Sequence, residues 1–453
     1  MPYDFSQRRA GVLLHPTSLP SGTLDDADRW LDFMAASGLS VWQMLPLGVP
    51  QEDLSPYQCL SAFATNPALL RTIPPFQKDD TGFAAFCSKE AHWLDDYALF
   101  MAIKNEQRHK AWYHWPESYR WRDEETLKQF SREHANALRD IRWQQYQLHQ
   151  HWQELRAKAE ARDIRLFGDM PIFVAHDSAD VWSCPRRFLL NDQGQPTWVT
   201  GVPPDYFSET GQRWGNPHYD WDYHRQEGFQ WWLARLNHHF RWFDLVRIDH
   251  FRGLQAVWMI PAHEQTAENG HWEEVPGDAL LTALREGIDP LPLVAEDLGI
   301  ITPEVKALKK KYHLPGMAVL QFAFDHFEDN PHKPANIEPD CVAYTGTHDN
   351  DTTLGWYRSL DEHTRHLVRD TLHLQPGDDP VDAMISTLFQ TRANLAIAPM
   401  QDFLKLGSEA RMNTPGVANG NWRWRLQPQA LSIPDLPAHI FRQVSNSNRK
   451  VTP

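Results

Sequence analysis

The segment LVRID, Leu245–Asp249, is a short apolar run that ends in charged residues, and runs of this kind indicate the fold of the chain. Seven further β-like runs alternate with helix-like segments, and the eight runs together are Gly11–His15, Val41–Leu47, Arg165–Asp169, Leu245–Asp249, Leu293–Asp297, Met317–Phe324, Val342–Thr345 and Leu395–Ala398. Apolar strands that alternate with helices are typical of a parallel sheet that is buried on both faces. Eight of them predict an α/β fold of the TIM barrel type, (β/α)8.

An open, doubly wound sheet is the alternative arrangement of such units. That fold often carries a Gly-rich phosphate loop after an early strand, and the sequence contains neither GxGxxG nor GxxxxGK[ST]. We therefore expect a barrel, with the chain 1–453 forming a single catalytic domain.

Two long gaps between the runs predict insertions into the barrel. The first, about 66–164 between the second and third strands, contains helix-like segments at Lys89–Lys104 and Glu124–Ala161 and predicts a helical subdomain. The second, about 182–229, is dense in Pro, Gly, Asp and aromatic residues, and we expect it to form a loop region that covers the substrate. The polar tail, 444–453, is expected to be frayed.

The composition excludes several classes of partner. The 453 residues include 44 Lys and Arg against 59 Asp and Glu, which gives a formal net charge of −15. Such an acidic chain is a poor general binder of nucleic acid or of an anionic membrane. The four cysteines lie far apart without a CxxC pair, and the sequence predicts neither a signal peptide nor a transmembrane run, so we expect a reducing cytoplasm.

Acidic residues stand where the barrel model places an active site, at the C-terminal ends of the strands. They close or follow four of the runs, as Asp169, Asp249, Glu296 with Asp297, and Asp349. Residues two apart in a strand point the same way, so Arg247 should lie beside Asp249. An arginine in that position lowers the pKa of the carboxyl group and keeps it ionised.

Cleavage of a glycosidic bond needs two carboxyl groups in different protonation states. Asp249 suits the ionised nucleophile. Glu296 follows the apolar stretch LPLVA and suits the protonated acid, because burial raises the pKa of a carboxyl group. Asp349, between His348 and Asn350, suits a group that holds sugar hydroxyls and stabilises developing positive charge.

The residues alone leave two other interpretations open. Each acid, taken singly, is also suited to capping a strand or a helix. Alternatively, strand-end His and Asp residues form the metal shell of a barrel metallohydrolase, and that set would be His15, Asp169, Asp249, His250, His348 and Asp349. Spacing in the sequence does not decide between carbohydrate and metal chemistry.

Several longer segments resemble the amylomaltases, which are 4-α-glucanotransferases of the α-amylase superfamily. They run in order from about Gly11 to Trp424 and read LLHPTSLP (13–20), SPYQ (55–58), GDMPIFVAHDSADVW (168–182), GVPPDYFSETGQRWGNP (201–217), LVRIDHFRG (245–253), VAEDLG (294–299), YTGTHDNDTTLGWY (344–357) and GSEARMN (407–413). The resemblance implies a TIM barrel with inserted, largely helical subdomains. It also implies a retaining double displacement on α-1,4-glucans without a metal or organic cofactor.

By motif position, the resemblance assigns a role to each candidate residue. It makes Asp249 the nucleophile, Glu296 the general acid/base and Asp349 the third carboxylate, with Arg247 orienting Asp249. The other candidates are expected to bind the sugar or to cover the site, and they are Asp169, His250, His348, Asn350, Gln212, Trp214, Ser55, Tyr57 and Asn421.

Two turns depart from the family pattern. Ser21–Asp26 (SGTLDD) lacks the usual Gly-rich turn, and Val49–Leu54 (VPQEDL) places Glu52 where similar proteins can carry a sugar-stacking Tyr. In addition, His326 follows Asp325 where some relatives have a second acid. The turns affect glucan contacts at the barrel rim and leave the expected catalytic acids in place.

The expected function is therefore glucan transfer between maltooligosaccharides, with release of glucose or short oligomers. Three rivals are kept beside it: a retaining α-1,4-glucan hydrolase with the same carboxylates, a barrel metallohydrolase, and a non-catalytic glycan-binding protein. Transfer conserves the number of glycosidic bonds, hydrolysis does not, and a metallohydrolase would lose activity to a chelator.

Overall fold

A computed structural model describes residues 4–78, 80–205 and 208–450. Its strands are β1 (Arg9–Leu13), β2 (Val41–Gln43), β3 (Arg165–Pro171), β4 (Trp198–Val202), β5 (Gln212–Pro217), β6 (Leu245–Asp249), β7 (Ala256–Pro261), β8 (His271–Glu274), β9 (Leu293–Ala295), β10 (Gly316–Val319), β11 (Cys341–Tyr344) and β12 (Leu395–Pro399). Its α-helices are α1 (Ala27–Ala36), α2 (Thr81–Glu106), α3 (Glu117–Arg120), α4 (Glu124–Glu133), α5 (Ala135–Glu160), α6 (Ala179–Ser183), α7 (Trp221–Gln226), α8 (Gln230–Trp242), α9 (Gly277–Arg285), α10 (Pro303–Lys311), α11 (Thr353–Ser359), α12 (Glu362–Thr371), α13 (Pro380–Gln390), α14 (Met400–Phe403) and α15 (Leu436–Ser445).

Eight of the strands form a parallel sheet in the order β10-β11-β12-β1-β2-β3-β6-β9. The sheet nearly closes into a barrel, because the Ala295 N–H donates to the Pro315 carbonyl (2.8 Å) and joins β9 to the start of β10. The prediction of a TIM barrel is confirmed, and each of the eight runs contains a barrel strand. The run that begins at Met317 is shorter as a strand than expected, because Leu320–Phe322 turn into a 3-10 helix.

Side chains alternate between the barrel interior and the surrounding helices. In β6, Leu245 packs in an interior apolar cluster with Phe167, whereas Val246 and Ile248 pack in the larger cluster that surrounds the barrel. The interior cluster consists of Leu13, Val41, Leu45, Phe167, Leu245, Val294, Met317, Val319, Val342, Tyr344, Leu395, Ile397 and Met412. Arg247 and Asp249, which follow Leu245 on the same face of β6, therefore lie above this interior apolar cluster.

The chain between β2 and β3 contains α2 to α5, and α2 packs against α5. The helix expected over Lys89–Lys104 begins earlier, at Thr81, because the Asp80 carboxylate accepts the Phe83 N–H (3.0 Å) and caps the first turn. The helix expected over Glu124–Ala161 is divided into α4 and α5, with His134 between them.

The second insertion contains the strands β4 and β5 beside the short helices α6 and α7, where only a loop region was expected. A second, antiparallel sheet has the order β5-β4-β7-β8, so it also recruits β7 and β8 from beyond the predicted bound at 229. β4 and β5 were not predicted from the sequence, because they contain Gly and Pro residues, which are uncommon inside strands. At Gly201, β4 lies so close to β5 that a Cβ would be 2.1 Å from the Gln212 carbonyl oxygen. Only glycine therefore fits at this position of the strand.

The expectation of a frayed tail is wrong for residues 444–450. Val444 is buried, and the buried Arg449 guanidinium donates to the carbonyls of Phe389 (2.8 Å) and Ala393 (2.9 Å). The Lys450 N–H also donates to the Arg8 carbonyl (2.8 Å). Polar composition indicated exposure, whereas these hydrogen bonds hold the segment against the barrel; residues 451–453 lie outside the described residues.

No helix in the described part of the chain is both long enough and apolar enough to cross a membrane.

Gly168 in β3 is predicted to be essential for packing next to the site. A Cβ at this position would lie 2.3 Å from a ring carbon of the buried Phe243. Gly168→Ala should therefore lower the free energy of unfolding by about 1–3 kcal/mol, measured by urea denaturation. Gly287→Ala is the control, because the nearest atom there is the Leu284 carbonyl oxygen at 3.8 Å. Equal destabilisation by the two changes would contradict the steric argument.

Candidate active site

A buried arginine lies at the centre of the barrel mouth and joins two carboxylates. The Arg247 Nη1 donates to both oxygens of Asp169 (2.9 and 2.7 Å), and its Nη2 lies 2.8 Å from Asp249 Oδ1. The register pairs Asp169 with Arg247 across β3 and β6, and Asp249 follows on the same face. Burial lowers the pKa of Arg247, but the two aspartates raise it by more, so the guanidinium stays charged and fixes both carboxylates.

Glu296 lies next to Asp249 because β9 pairs with β6. The register joins Ile248 to Ala295, so each acid stands one residue beyond a paired position. The Glu296 carboxyl accepts the backbone N–H groups of His250 (2.8 Å) and Leu298 (3.0 Å). The pKa of Glu296 is raised to about 7, because burial and, to a smaller extent, the charge of Asp249 outweigh the lowering effects of Arg247 and of the two backbone N–H donors. The carboxyl group therefore holds a proton up to near-neutral pH.

An aromatic series connects this group to the opposite side of the mouth. The Tyr57 hydroxyl donates to Asp169 Oδ2 (2.8 Å), and its ring stacks on His348 with centroids 5.2 Å apart. Trp422 contacts both rings, at 6.0 and 5.9 Å. Since His348 Nε2 lies 3.4 Å from Asp349 Oδ1, the predicted Asp249, Asp169, Tyr57, His348 and Asp349 are joined in one continuous arrangement.

Two residues that hold Asp349 were not predicted from the sequence. Asn413 Nδ2 donates to Asp349 Oδ1 (2.6 Å), and Arg411 Nη2 donates to the Asp349 carbonyl (2.6 Å). Both residues belong to the segment GSEARMN. That motif was the available signal, but neither position stands at the end of a strand.

A third missed residue, Asp402, holds both ends of the segment that carries His348 and Asp349. Its Oδ2 accepts the hydroxyls of Thr345 (2.6 Å) and Thr353 (2.7 Å), and its Oδ1 accepts the Thr353 N–H (2.7 Å). Because Asp402 is almost fully buried, these donors replace the water that a carboxylate needs. The segment is thereby anchored to β12 and α14.

His250 and Trp214 form the side of the mouth beside Glu296. His250 has a left-handed backbone (φ 53°), and its ring lies 4.9 Å from the Trp214 ring, edge to face. Burial lowers the pKa of His250 to about 4, so the imidazole is neutral at physiological pH. Within the described residues, its Nε2 has no hydrogen-bond partner. The Trp214 indole N–H donates to Gln212 Oε1 (3.1 Å), so these two covering residues are held together on β5.

Three predicted substrate-binding side chains form hydrogen bonds within their own loops. Ser55 Oγ accepts the Tyr57 N–H (3.3 Å), and Asn350 Oδ1 accepts the N–H of Thr347 (2.9 Å). Asn421 accepts the Thr414 N–H (2.9 Å) and donates to the Val417 carbonyl (2.7 Å). The structure therefore gives these three side chains a role in loop conformation.

Two of the residues that suggested a metal shell are engaged in ion pairs with an arginine. Asp169 and Asp249 both bind Arg247, which is not a metal ligand. Among residues 4–78, 80–205 and 208–450, no group of three or more His, Cys, Asp or Glu side chains is arranged to hold a metal ion.

A TIM barrel with fixed carboxyl groups at its mouth is typical of enzymes that act on glycosidic bonds. Comparison with known proteins identifies the family. The model of the 4-α-glucanotransferase family matches residues 13–74 and 73–431. The chain is 44% identical to the 4-α-glucanotransferase of Thermus thermophilus, over 94% of this chain and 96% of that protein. It is 42% identical to the enzyme of the same name from Synechocystis, over 94% and 95% of the two chains.

Solved structures agree with this result. Amylomaltase from Streptococcus agalactiae, in complex with acarbose, superposes with a TM-score of 0.94 at 31% identity, over 98% of this chain and 100% of that one. Amylomaltase from Corynebacterium glutamicum has the same fold, with a TM-score of 0.77 at 16% identity, over 98% and 75% of the chains. The chain belongs to the 4-α-glucanotransferase family, and its activity is the transfer of α-glucan.

Asp402 is predicted to position the Asp349 segment. Asp402→Ala should lower kcat by about 10- to 100-fold, because small displacements of groups around the reacting atoms are costly. Asp402→Asn should retain more activity, since its amide can still bond both threonine hydroxyls. The measurement is kcat and KM beside thermal unfolding, and a full kcat in a destabilised Asp402→Ala enzyme would limit Asp402 to a structural role.

Proposed function

We propose that this enzyme transfers α-1,4-glucan segments between maltooligosaccharides by a retaining double displacement, with Asp249 as nucleophile and Glu296 as general acid/base. The observation that carries the proposal is the pairing of two neighbouring carboxyl groups in different environments. Arg247 binds one of them, whereas burial raises the pKa of the other to about 7. Two such groups are what a glycosidic bond requires.

In the first step, Asp249 attacks C1 of the donor glucose and forms a glycosyl-enzyme ester. The bond from C1 to the glycosidic oxygen breaks, and the electron pair leaves with that oxygen, which takes the proton of Glu296. The ion pair with Arg247 supports this role, since it fixes the rotamer of the attacking carboxylate. Asp349, held by Asn413, would hold the hydroxyls of the bound glucose.

In the second step, the 4-hydroxyl of an acceptor sugar gives its proton to Glu296 and attacks C1. The ester bond breaks and Asp249 is released as a carboxylate, so the anomeric configuration is retained and the number of glycosidic bonds is unchanged. Neutral His250, whose buried Nε2 has no hydrogen-bond partner within the described residues, would donate to or accept from a sugar hydroxyl in the complex.

Transfer requires that sugar outcompetes water for the ester. Trp214, held by Gln212, packs against His250 and would cover the reacting carbon while the acceptor is positioned. Tyr57 and His348 supply an aromatic wall on which a sugar ring can stack.

The proposed donors and acceptors are maltooligosaccharides, and the proposed products are glucose or short oligomers together with longer chains. Nucleic acid and membranes are not proposed as partners, in keeping with the net charge of −15. We also propose a cytoplasmic location, which suits the unpaired thiols of Cys59, Cys87, Cys184 and Cys341.

The decisive experiment is incubation of the purified, chelator-treated enzyme with maltotriose. We expect a ladder of longer oligomers and free glucose at a constant number of reducing ends. Asp249→Ala should lower this turnover by roughly 10⁴-fold or more, as expected for loss of a nucleophile. Asp329→Asn, a change at an exposed residue outside the site, is the matched control. Rising reducing ends without a ladder would identify a hydrolase, and substantial turnover by Asp249→Ala would overturn the nucleophile assignment.

The pH dependence tests Glu296. Its pKa is raised from 4.5 to about 7, so the protonated form required for the first step is present below that pH and is lost above it. We expect kcat/KM for maltotriose to fall about tenfold per pH unit above about 7. Glu296→Gln should abolish this fall and should impair maltotriose far more than α-glucosyl fluoride, whose leaving group needs little protonation. Glu304→Gln, at an exposed residue of α10, should retain the wild-type profile.

A further inference from the structure

One arginine outside the catalytic group connects the barrel mouth to the edge of the second sheet. Arg252 Nη1 donates to the Ile300 carbonyl (2.7 Å), and its guanidinium carbon lies 3.9 Å from the centroid of the Trp272 ring. Both apolar side chains are exposed, Ile300 by 71% and Trp272 by 38%. Together, Arg252, Trp272 and Ile300 form what we call the rim platform.

The rim platform lies beside the proposed acid/base. The His250 N–H donates to the Glu296 carboxyl and the Phe251 N–H to the Glu296 carbonyl (3.1 Å), and Arg252 is the next residue in the same 3-10 turn. Ile300 follows Glu296 by four residues, so about 14 Å of chain at most separates them. The platform therefore extends outward from the loops that follow β6 and β9.

The proposed reaction determines what passes over this surface. Glu296 must face the glycosidic oxygen, so the sugars of the leaving group and of the acceptor lie on the Glu296 side of the reacting carbon. Sugar rings present apolar faces to aromatic and aliphatic side chains and hydroxyls to charged donors. Within the described residues, the Arg252 guanidinium donates to the Ile300 carbonyl through Nη1. The N–H groups of Nη2 are left to donate to sugar hydroxyls.

The position of Trp272 also points to a ligand. The ring projects from β8, an edge strand whose residues His271–Glu274 are all exposed, and exposed aromatic side chains on a sheet edge promote unwanted association. Trp258 contacts Trp272 at 5.3 Å and holds it from the side. The flanking Glu273 and Glu274 would repel an anionic ligand, whereas they tolerate a neutral glucan.

We propose that the rim platform is a distal subsite for the leaving-group and acceptor side of α-1,4-glucan chains, where it favours longer chains over maltotriose. The proposal rests on the assignment of Glu296 as acid/base made above. Arg252 and Ile300 border the chain, and Trp272 provides the stacking surface at its far end.

The test compares kcat/KM for maltoheptaose with kcat/KM for maltotriose in the wild-type background. Trp272→Ala should lower the ratio of the two values roughly three- to tenfold, the range expected for loss of one aromatic contact. Ile300→Ala, at a side chain with little packing to lose, should lower the ratio in the same direction. Trp272→Phe should keep most of it. Phe441→Ala, at a similarly exposed aromatic residue of α15, should leave the ratio unchanged.

A direct binding measurement separates the distal subsite from the catalytic assignment. Calorimetric titration of Glu296→Gln with maltoheptaose should give a three- to tenfold lower Kd than titration of the Glu296→Gln, Trp272→Ala double variant. If Glu296 is not the acid, Glu296→Gln will retain turnover of maltotriose, and the kcat/KM ratio still tests the rim platform independently. An unchanged ratio, or an equal loss on both substrates, would overturn the proposal. So would a change in sedimentation with an unchanged ratio, because the platform would then be a contact between copies of the chain.

Discussion

The barrel mouth depends on the charge of Arg247. A buried guanidinium is costly unless it is paired, and here Asp169 and Asp249 both bind it. The same ion pairs determine the shape of the site, since they hold one carboxylate on β3 and another on β6 in fixed orientations. Removal of Arg247 would leave both carboxylates without their cation, so the stability of the mouth and the geometry of the proposed site rest on the same contacts.

The other residues of the mouth are connected to Arg247 and its two aspartates by contacts of different kinds. Tyr57 connects Asp169 to His348 by a hydrogen bond and a stacked ring, and His348 leads to Asp349. On the other side, Glu296 takes its position from backbone N–H donors, including that of His250. The proposed catalytic residues are thus held partly by side chains and partly by the backbone of the barrel.

The strands and the ion pair at the mouth could be predicted because both follow from local pattern. Apolar runs identified the eight barrel strands, and the period of two placed Arg247 beside Asp249. The second sheet could not be predicted in this way. Its strands contain Gly and Pro, and pairing of β4 with β7 joins residues more than fifty positions apart. The ordered segment around Arg449 was missed for a similar reason, since the carbonyls it binds are distant in sequence.

The candidate site shows the same limit. Asp249, Glu296 and Asp349 could be proposed from the sequence because carboxyl groups at the ends of barrel strands are a recognisable pattern. Asn413 and Asp402 were not found, because their importance lies in what they hold. Asn413 lies in the family motif GSEARMN, but the motif does not show what the residue binds. Its contact with Asp349 follows only from the fold.

The pairing of β6 with β9 has a mechanical consequence. Asp249 and Glu296 extend from hydrogen-bonded neighbouring strands, so the pairing of β6 with β9 holds the backbones of the two acids at a fixed separation. Asp349 lies on a loop beyond β11, which stands two positions from β9 and three from β6 around the barrel, and it is held there by Asn413 rather than by the pairing of β6 with β9. The proposed nucleophile and the proposed acid thus share one rigid support, and the carboxylate proposed to hold the sugar rests on a separate one.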